Sequence, residues 1–312
     1  MSPLEIENTL SYHLDQLLPH HDSRKVYEYA ILPGGKLFRP NLVWATLLDI
    51  NPVLYSQSLL NKNCPHALLA SAVEFHHSYS LIHDDLPCMD NDTIRRGKAC
   101  THIAFGQWQA LLAGDGLINL SYQLLAKSNH ARTLEVIRFF SWALGPKGLI
   151  QGQVLDLSEE MTKSFKNTLR THELKTARLI QVAILGSFAF SALKNTILEK
   201  KLWKFSKLLG INFQLIDDLS ELSEEKLSEH ELAVNPWLKH TEESYLGTLK
   251  SLRDFNELAL ELELTNTKII ISEYYQKMLS IILSKQDTIE SHLSQKRKID
   301  LIPVILLLKT FS

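Results

Sequence analysis

An all-α fold is predicted for this 312-residue chain by three observations. Strand and turn signals are scarce, with only 12 Gly and 10 Pro. The long segments between them are filled by Leu, Lys, Glu and Ala, which favour helix. Apolar residues also recur at helical spacing, as in Leu4, Ile6, Leu10, Leu14, Leu17 and Leu18, the pattern of a helix face. We expect one large helical bundle forming a single domain over residues 1–312, because no Gly/Ser-rich linker, internal repeat or low-complexity tract marks a boundary. A formal charge of −2 and a pI near 6.7 give no general attraction to nucleic acid or anionic membrane, so any phosphate binding must be local.

The opening helix stops near Pro19 and is expected on the outside of the bundle. Next comes ILPGGKLFRP, where Gly34 and Gly35 permit close backbone approach and Lys36 and Arg39 lie three apart. This pattern suits an anion, and equally an ordinary glycine turn beside two solvated bases. A helix over about 41–49 and a loop through Pro52 and Pro65 follow. The next helix carries Ala67, Leu68, Leu69, Ala72, Val73, Phe75, Leu81 and Ile82, apolar on most of its circumference and therefore buried among other helices.

That helix closes on Asp84 and Asp85. Two adjacent buried carboxylates cost several kcal/mol each unless a cation compensates. Carboxylates without a Cys and His set are hard-oxygen ligands suited to magnesium, which keeps waters and is completed by substrate phosphates. Arg95 and Arg96 would then serve those phosphates. In an unbroken helix Asp90 would sit about 240° around from Asp84. Pro87 disfavours helix at Leu86, so a loop here can return Asp90 beside Asp84. The bland alternative is an acidic helix end in solvent. His77, two turns earlier, reads either as a ligand facing the same site or as a satisfied core histidine.

Further on, a helix is expected from His102 to about Lys127, then a loop, GPKGLIQGQVLDL, in which Gln153 and Asp156 share a side if helical or serve as caps. A long helix from Leu169 to Leu193 holds Lys175 and Thr176 amid apolar neighbours; the lysine either snorkels outward or donates to a phosphate. The helix from Leu198 ends in INFQLIDDLSE, with Asp217 and Glu221 on one face, followed by a solvated acidic loop. The apolar run Leu301–Leu308 is too short to span a membrane and is expected to dock as a tail. No signal-peptide pattern opens the chain, and Cys64, Cys88 and Cys100 lack metal-ligand spacing, which suits a reducing cytoplasm.

Over residues from about 30 to 221 these motifs resemble the trans-isoprenyl diphosphate synthases, in their bacterial farnesyl-type form. DDLPCMD with Arg95 and Arg96 resembles the first aspartate-rich motif, GGKLFRP the isopentenyl diphosphate loop, GQVLDL the Gln-Asp segment, KT the allylic-site pair and FQLIDD the second aspartate motif. The resemblance implies an isoprenoid-synthase bundle with a central cavity and a homodimer. It implies that Asp84, Asp90 and Asp217 hold Mg2+ on the diphosphate of a dimethylallyl or geranyl substrate, supported by Asp85 and Asp218. Arg95, Lys175, Thr176 and Gln214 complete the allylic site, and Lys36, Arg39, His77 and Arg96 hold isopentenyl diphosphate. The product implied is farnesyl diphosphate. Tyr79, five residues before Asp84, is the implied chain-length floor. Helix geometry by itself would align Ser80 better with Asp84.

The chain also departs from that pattern. Leu37 stands for an Arg, Ala177-Arg178 for a small pair, and Glu221 for the third Asp of the second motif. ELAVNPWLKH occupies the place of a Gly-Lys and Lys-Thr-Tyr-Pro loop, leaving Lys226 and Lys239 as the cations available there. Two rivals stay open: a longer-chain (geranylgeranyl) synthase and, because of the altered region from Glu221 onward, a weakly active or non-catalytic partner subunit. A helical terpene cyclase fits less well, because the Gly-Gly-Lys loop and the arginine pair serve a second diphosphate.

Overall fold

The computed structural model describes residues 1–294 and 299–311, which are almost entirely helical. They form two compact units, Met1–Phe140 with Val182–Leu193, and Ser141–Gln181 with Lys194–Ser312.

In the first unit, α1 (Pro3–Leu17) is set by a capping box in which the Ser2 hydroxyl accepts the Glu5 N–H and the Glu5 carboxylate accepts that of Ser2. Its Ile6, Leu10 and Leu14 are buried. α2 (Arg24–Ile31), α3 (Phe38–Ile50) and α4 (Pro52–Ser58) follow. At the centre lies α5 (Pro65–Asp84), started by Pro65 behind Cys64 and buried around nearly its whole circumference, as its composition requires.

After α5 the chain forms a small hairpin that the strand-poor composition did not announce. β1 (Ile94–Arg95) pairs antiparallel with β2 (Lys98–Ala99). Arg96 and Gly97 turn it with φ of 54° and 77°, the double left-handed geometry of a tight hairpin. The helix expected over 102–127 breaks at Gly106 into α6 (Thr101–Phe105) and α7 (Gln107–Ala126), and α7 packs along α5. α8 is Thr133–Leu144.

In the second unit, the segment expected as a loop is largely helix, α9 (Leu149–Leu157). α10 (Phe165–His172) passes through a π-helical turn, Glu173–Ala177, into α11 (Arg178–Phe190). α12 (Thr196–Glu221) is capped by Asn195 and ends in the second acidic motif. α13 (Glu229–Val234), α14 (Pro236–Lys239), α15 (Thr241–Leu262), α16 (Thr265–Ser284) and α17 (Gln286–Ser294) lead to α18 (Ile302–Lys309). The apolar tail docks as expected. Leu301, Val304 and Leu308 are fully buried against α15 and α16, and Phe311 stacks on Phe255 at 4.9 Å. No helix among the described residues is long and apolar enough to cross a membrane.

Candidate active site

The first acidic motif is built by the way α5 stops. The Asp85 N–H still reaches the Leu81 carbonyl (3.0 Å), and Met89 and Asn91 both donate to Leu86 O (2.8 and 3.1 Å). Pro87 cannot extend this ladder, so the chain turns back and the Asp90 N–H donates to the Asp84 carbonyl at 2.8 Å. The two aspartates that helical geometry would separate are thus joined through their backbones. Asp85, 3% exposed, takes Arg95 at 2.6–2.8 Å, which also reaches Asp92 at 2.6 Å. A guanidinium carries five N–H donors, so Arg95 keeps some for a further anion.

A second cluster gathers around His77 and Glu74, farther back on α5, with Arg39 from α3 and Arg96 from the hairpin turn. Arg39 Nη1 and His77 Nε2 are 3.2 Å apart, and Arg39 Nε is sealed from solvent without a hydrogen-bond partner. Glu74, one turn before His77 and 2% exposed, stands 3.9 Å from Arg96. Burial pushes the Glu74 carboxyl up, while Arg96 and Arg39 pull it back. Burial, reinforced by the neighbouring arginines, holds His77 well below its ordinary value and hence neutral. Gly35 lets the Arg96 guanidinium lie close against the turn, since a Cβ there would come within 2.5 Å of its central carbon and push it aside. Its turn is anchored by Gly34 N–H donating to Glu7 (2.9 Å) and by buried Leu37 in left-handed geometry. Lys36 stands exposed on the same turn. Sequence reasoning missed Glu74, although a lone carboxylate inside so apolar a helix was its signal.

Tyr79 is 5% exposed and set in an aromatic row on α5, edge-on to His76 at 4.4 Å and His83 at 5.5 Å. His76 in turn meets Phe140 at 5.1 Å. Ser80 hydrogen-bonds its own helix at His77 O (2.9 Å).

In the second unit Lys175 and Thr176 ride on the π turn, a distortion frequent at functional sites. Gly152 of α9 admits that turn, because a Cβ there would lie 2.3 Å from Lys175 N. Lys175 Nζ donates to Asp156 at 2.5 Å, while Thr176 Oγ1 donates to Gln214 (3.0 Å), whose amide donates to Asp218 (2.9 Å). Asp218 lies 3.3 Å from buried His172. Burial, then repulsion by Glu221, drives the Asp218 carboxyl well above its ordinary value. Burial and Asp217 take Glu221 to about 7. Asp217 and Glu221 therefore face each other as like charges, as their spacing implied.

The divergent segment after this motif has a structural use. Asn235 donates to the Asp218 carbonyl (2.8 Å) and to Glu221 (3.5 Å), and the fully buried Trp237 donates to Leu215 O (2.8 Å). Lys226 and Lys239 are both exposed.

Among the described residues no three Asp, Glu, His or Cys side chains close around one point as a ready metal cage. The donor chemistry nevertheless fits magnesium, because each motif offers carboxylates, and within the second motif Asp217 raises the affinity of Glu221 for positive charge.

The sequence pattern of the polyprenyl synthetase family matches residues 20–230. The chain belongs to that family. Among its relatives, the farnesyl diphosphate synthase of Buchnera aphidicola subsp. Schizaphis graminum is 39% identical, covering 69% of this chain and 73% of that one. Geranylgeranyl pyrophosphate synthase 7, chloroplastic, of Arabidopsis thaliana is 35% identical over 69% of this chain and 62% of its own. Among solved structures, the Helicobacter pylori geranyltransferase complexed with magnesium and isoprenyl diphosphate is similar with a TM-score of 0.71 at 28% identity, covering 88% of this chain and 96% of that one. A polyprenyl synthetase with an all-α isoprenoid-synthase fold is what the sequence motifs led us to expect.

Proposed function

We propose that this chain is a magnesium-dependent prenyltransferase that joins isopentenyl diphosphate to dimethylallyl and then geranyl diphosphate, yielding farnesyl diphosphate. One observation carries the reading. A single buried helix, α5, ends in the Asp84–Asp90 carboxylate turn and, two to three turns back, bears His77 and Glu74, which meet Arg39 of α3 and Arg96 of the hairpin. A carboxylate site for a metal-bridged diphosphate and a separate guanidinium site for a second diphosphate are what a two-substrate condensation needs.

In this reading Asp84, Asp90 and Asp217 would hold magnesium, with Asp85 and Asp218 supporting, and the ion when bound would supply positive charge to the leaving diphosphate. Arg95, Lys175, Thr176 and Gln214 bind and orient the allylic diphosphate, and Lys36, Arg39, His77 and Arg96 hold isopentenyl diphosphate. The allylic C–O bond breaks, the isopentenyl double bond forms the new C–C bond, and the released diphosphate takes the proton lost from the isopentenyl unit. Neutral His77 fits a binding role, since it adds no charge between the two arginines. Buried apolar helix walls exclude water that would quench the cation. Tyr79 sets the chain-length floor.

The likeness to a geranylgeranyl synthase supports a longer product as the alternative. A homodimer is favoured by Trp108, Leu111 and Leu112, at 67%, 45% and 55% exposure on one face of α7. The cytoplasm suits cysteines that are all unpaired. Mass spectrometry of products made with magnesium, isopentenyl diphosphate and each allylic diphosphate tests the assignment: fifteen-carbon product is expected, a longer product selects the alternative, and none selects a non-catalytic subunit.

A further inference from the structure

Arg178, one of the positions where the sequence leaves the family pattern, has no role in the chemistry above. It is 8% exposed, with its guanidinium 4.5 Å from the Trp142 ring centre and 5.7 Å from that of Trp203. Nη1 donates to Gln181 (2.9 Å) and Nη2 to Glu173 (2.8 Å), but Nε is buried without a partner. Beside it opens a cavity of about 390 Å3 lined by Trp142, Lys147, Arg170, Glu173, Leu174 and Arg178 among others. Three cations thus face one carboxylate, and Glu173 is already neutralised by Arg178 and by Lys207 at 2.6 Å.

We propose that this cavity is a second anion-binding site, taking a phosphorylated ligand with a flat ring, of nucleoside diphosphate type. Surplus cations call for phosphate, and guanidinium with ammonium groups is the combination that holds it. The volume lies in the range of small-molecule sites and exceeds what a bare phosphate fills. Trp142, 41% exposed and already stacked by a guanidinium, supplies an aromatic wall for a planar base. Glu173 and Leu174 belong to the π turn that carries Lys175, so the site abuts the catalytic machinery from a different set of side chains.

Isothermal titration of the full chain in EDTA, without magnesium, tests this using ADP, inorganic diphosphate and adenosine as probes. ADP is expected to bind saturably with Kd below about 1 mM, at least about tenfold tighter than either fragment. The exposed rim substitutions Lys147→Glu and Arg170→Glu should together weaken ADP at least about tenfold, with an unchanged circular dichroism spectrum, and Asp84→Ala should leave its Kd unchanged. Absence of ADP binding at millimolar concentration, equal binding of diphosphate, survival in the rim double variant, or loss in Asp84→Ala would each overturn the proposal. None of these readings uses turnover, so they stand apart from the prenyltransferase assignment.

Discussion

The Asp90 N–H donates to the Asp84 carbonyl oxygen at 2.8 Å, closing the seven-residue turn Asp84–Asp90 onto the end of α5. This bond fixes the spacing of the two aspartates through the backbone, independently of any ion. A metal site built on it would be positioned before magnesium arrives, which lowers the cost of assembling it.

Substituting Asp84→Ala, or Asp217→Ala, should therefore abolish turnover while leaving the helical fold. The loss expected is at least about 1,000-fold in kcat, as for removal of electrostatic stabilisation worth several kcal/mol. Steady-state rates at saturating magnesium, with Tm measured alongside, check it; near-native turnover would remove the ligand assignment.

Glu74→Gln should act differently, because it leaves Arg39 and Arg96 without their buried counter-charge. We expect a stability loss of about 3 kcal/mol and a rise in KM for isopentenyl diphosphate, with KM for the allylic substrate little changed. Equal changes in both KM values would contradict a separate second-substrate site.

Tyr79→Ala should remove the floor and shift products to twenty carbons or more. Its ring is packed between His76 and His83, so the cavity left behind should also cost about 3 kcal/mol. An unchanged chain-length distribution by mass spectrometry would mean that the ring is core packing alone.

At the second motif, Lys226→Ala should leave the affinity for a non-hydrolysable allylic analogue within about twofold, as befits an exposed lysine among glutamates. Asn235→Ala should instead lower stability by about 2 kcal/mol, because it deprives the buried Asp218 carbonyl of its donor. Calorimetric titration and urea unfolding distinguish the two; tighter dependence on Lys226 than on Asn235 would reverse the assignment.

Acid should destabilise the protein through its buried histidines. His13 bonds Ser71 and the Lys62 carbonyl, each at 2.8 Å, and burial lowers it to about 4. Both folded and unfolded forms are neutral above about pH 6.5, so stability is complete there. As pH falls toward 4 the unfolded chain takes a proton that the folded one refuses, and stability is lost across that window. His13→Gln should recover on the order of 2 kcal/mol of the drop between pH 7 and pH 5 in urea unfolding. A drop of the same size in both proteins would show that His13 is not its source.

The sequence by itself determined the helical class, the two acidic helix ends, the Gly-Gly turn and the docked tail, because periodicity, Pro87 and the positions of charge on apolar helices are local or nearly local properties. It also marked Asp156 and Gln153 as sharing a side, yet left their segment as loop, since a nine-residue helix with two flanking glycines and a proline nearby is stabilised mainly by what it packs against. Only the tertiary structure decided that Glu74 neutralises Arg96, that Lys175 goes to Asp156 while Thr176 goes to Gln214, and that Asn235 and Trp237 close the segment that replaces the lysine loop of the family pattern. Each of these joins residues from different elements. Partner choice there depends on which side chains reach one another once desolvation has made every unpaired polar group costly, and no window of sequence contains that information.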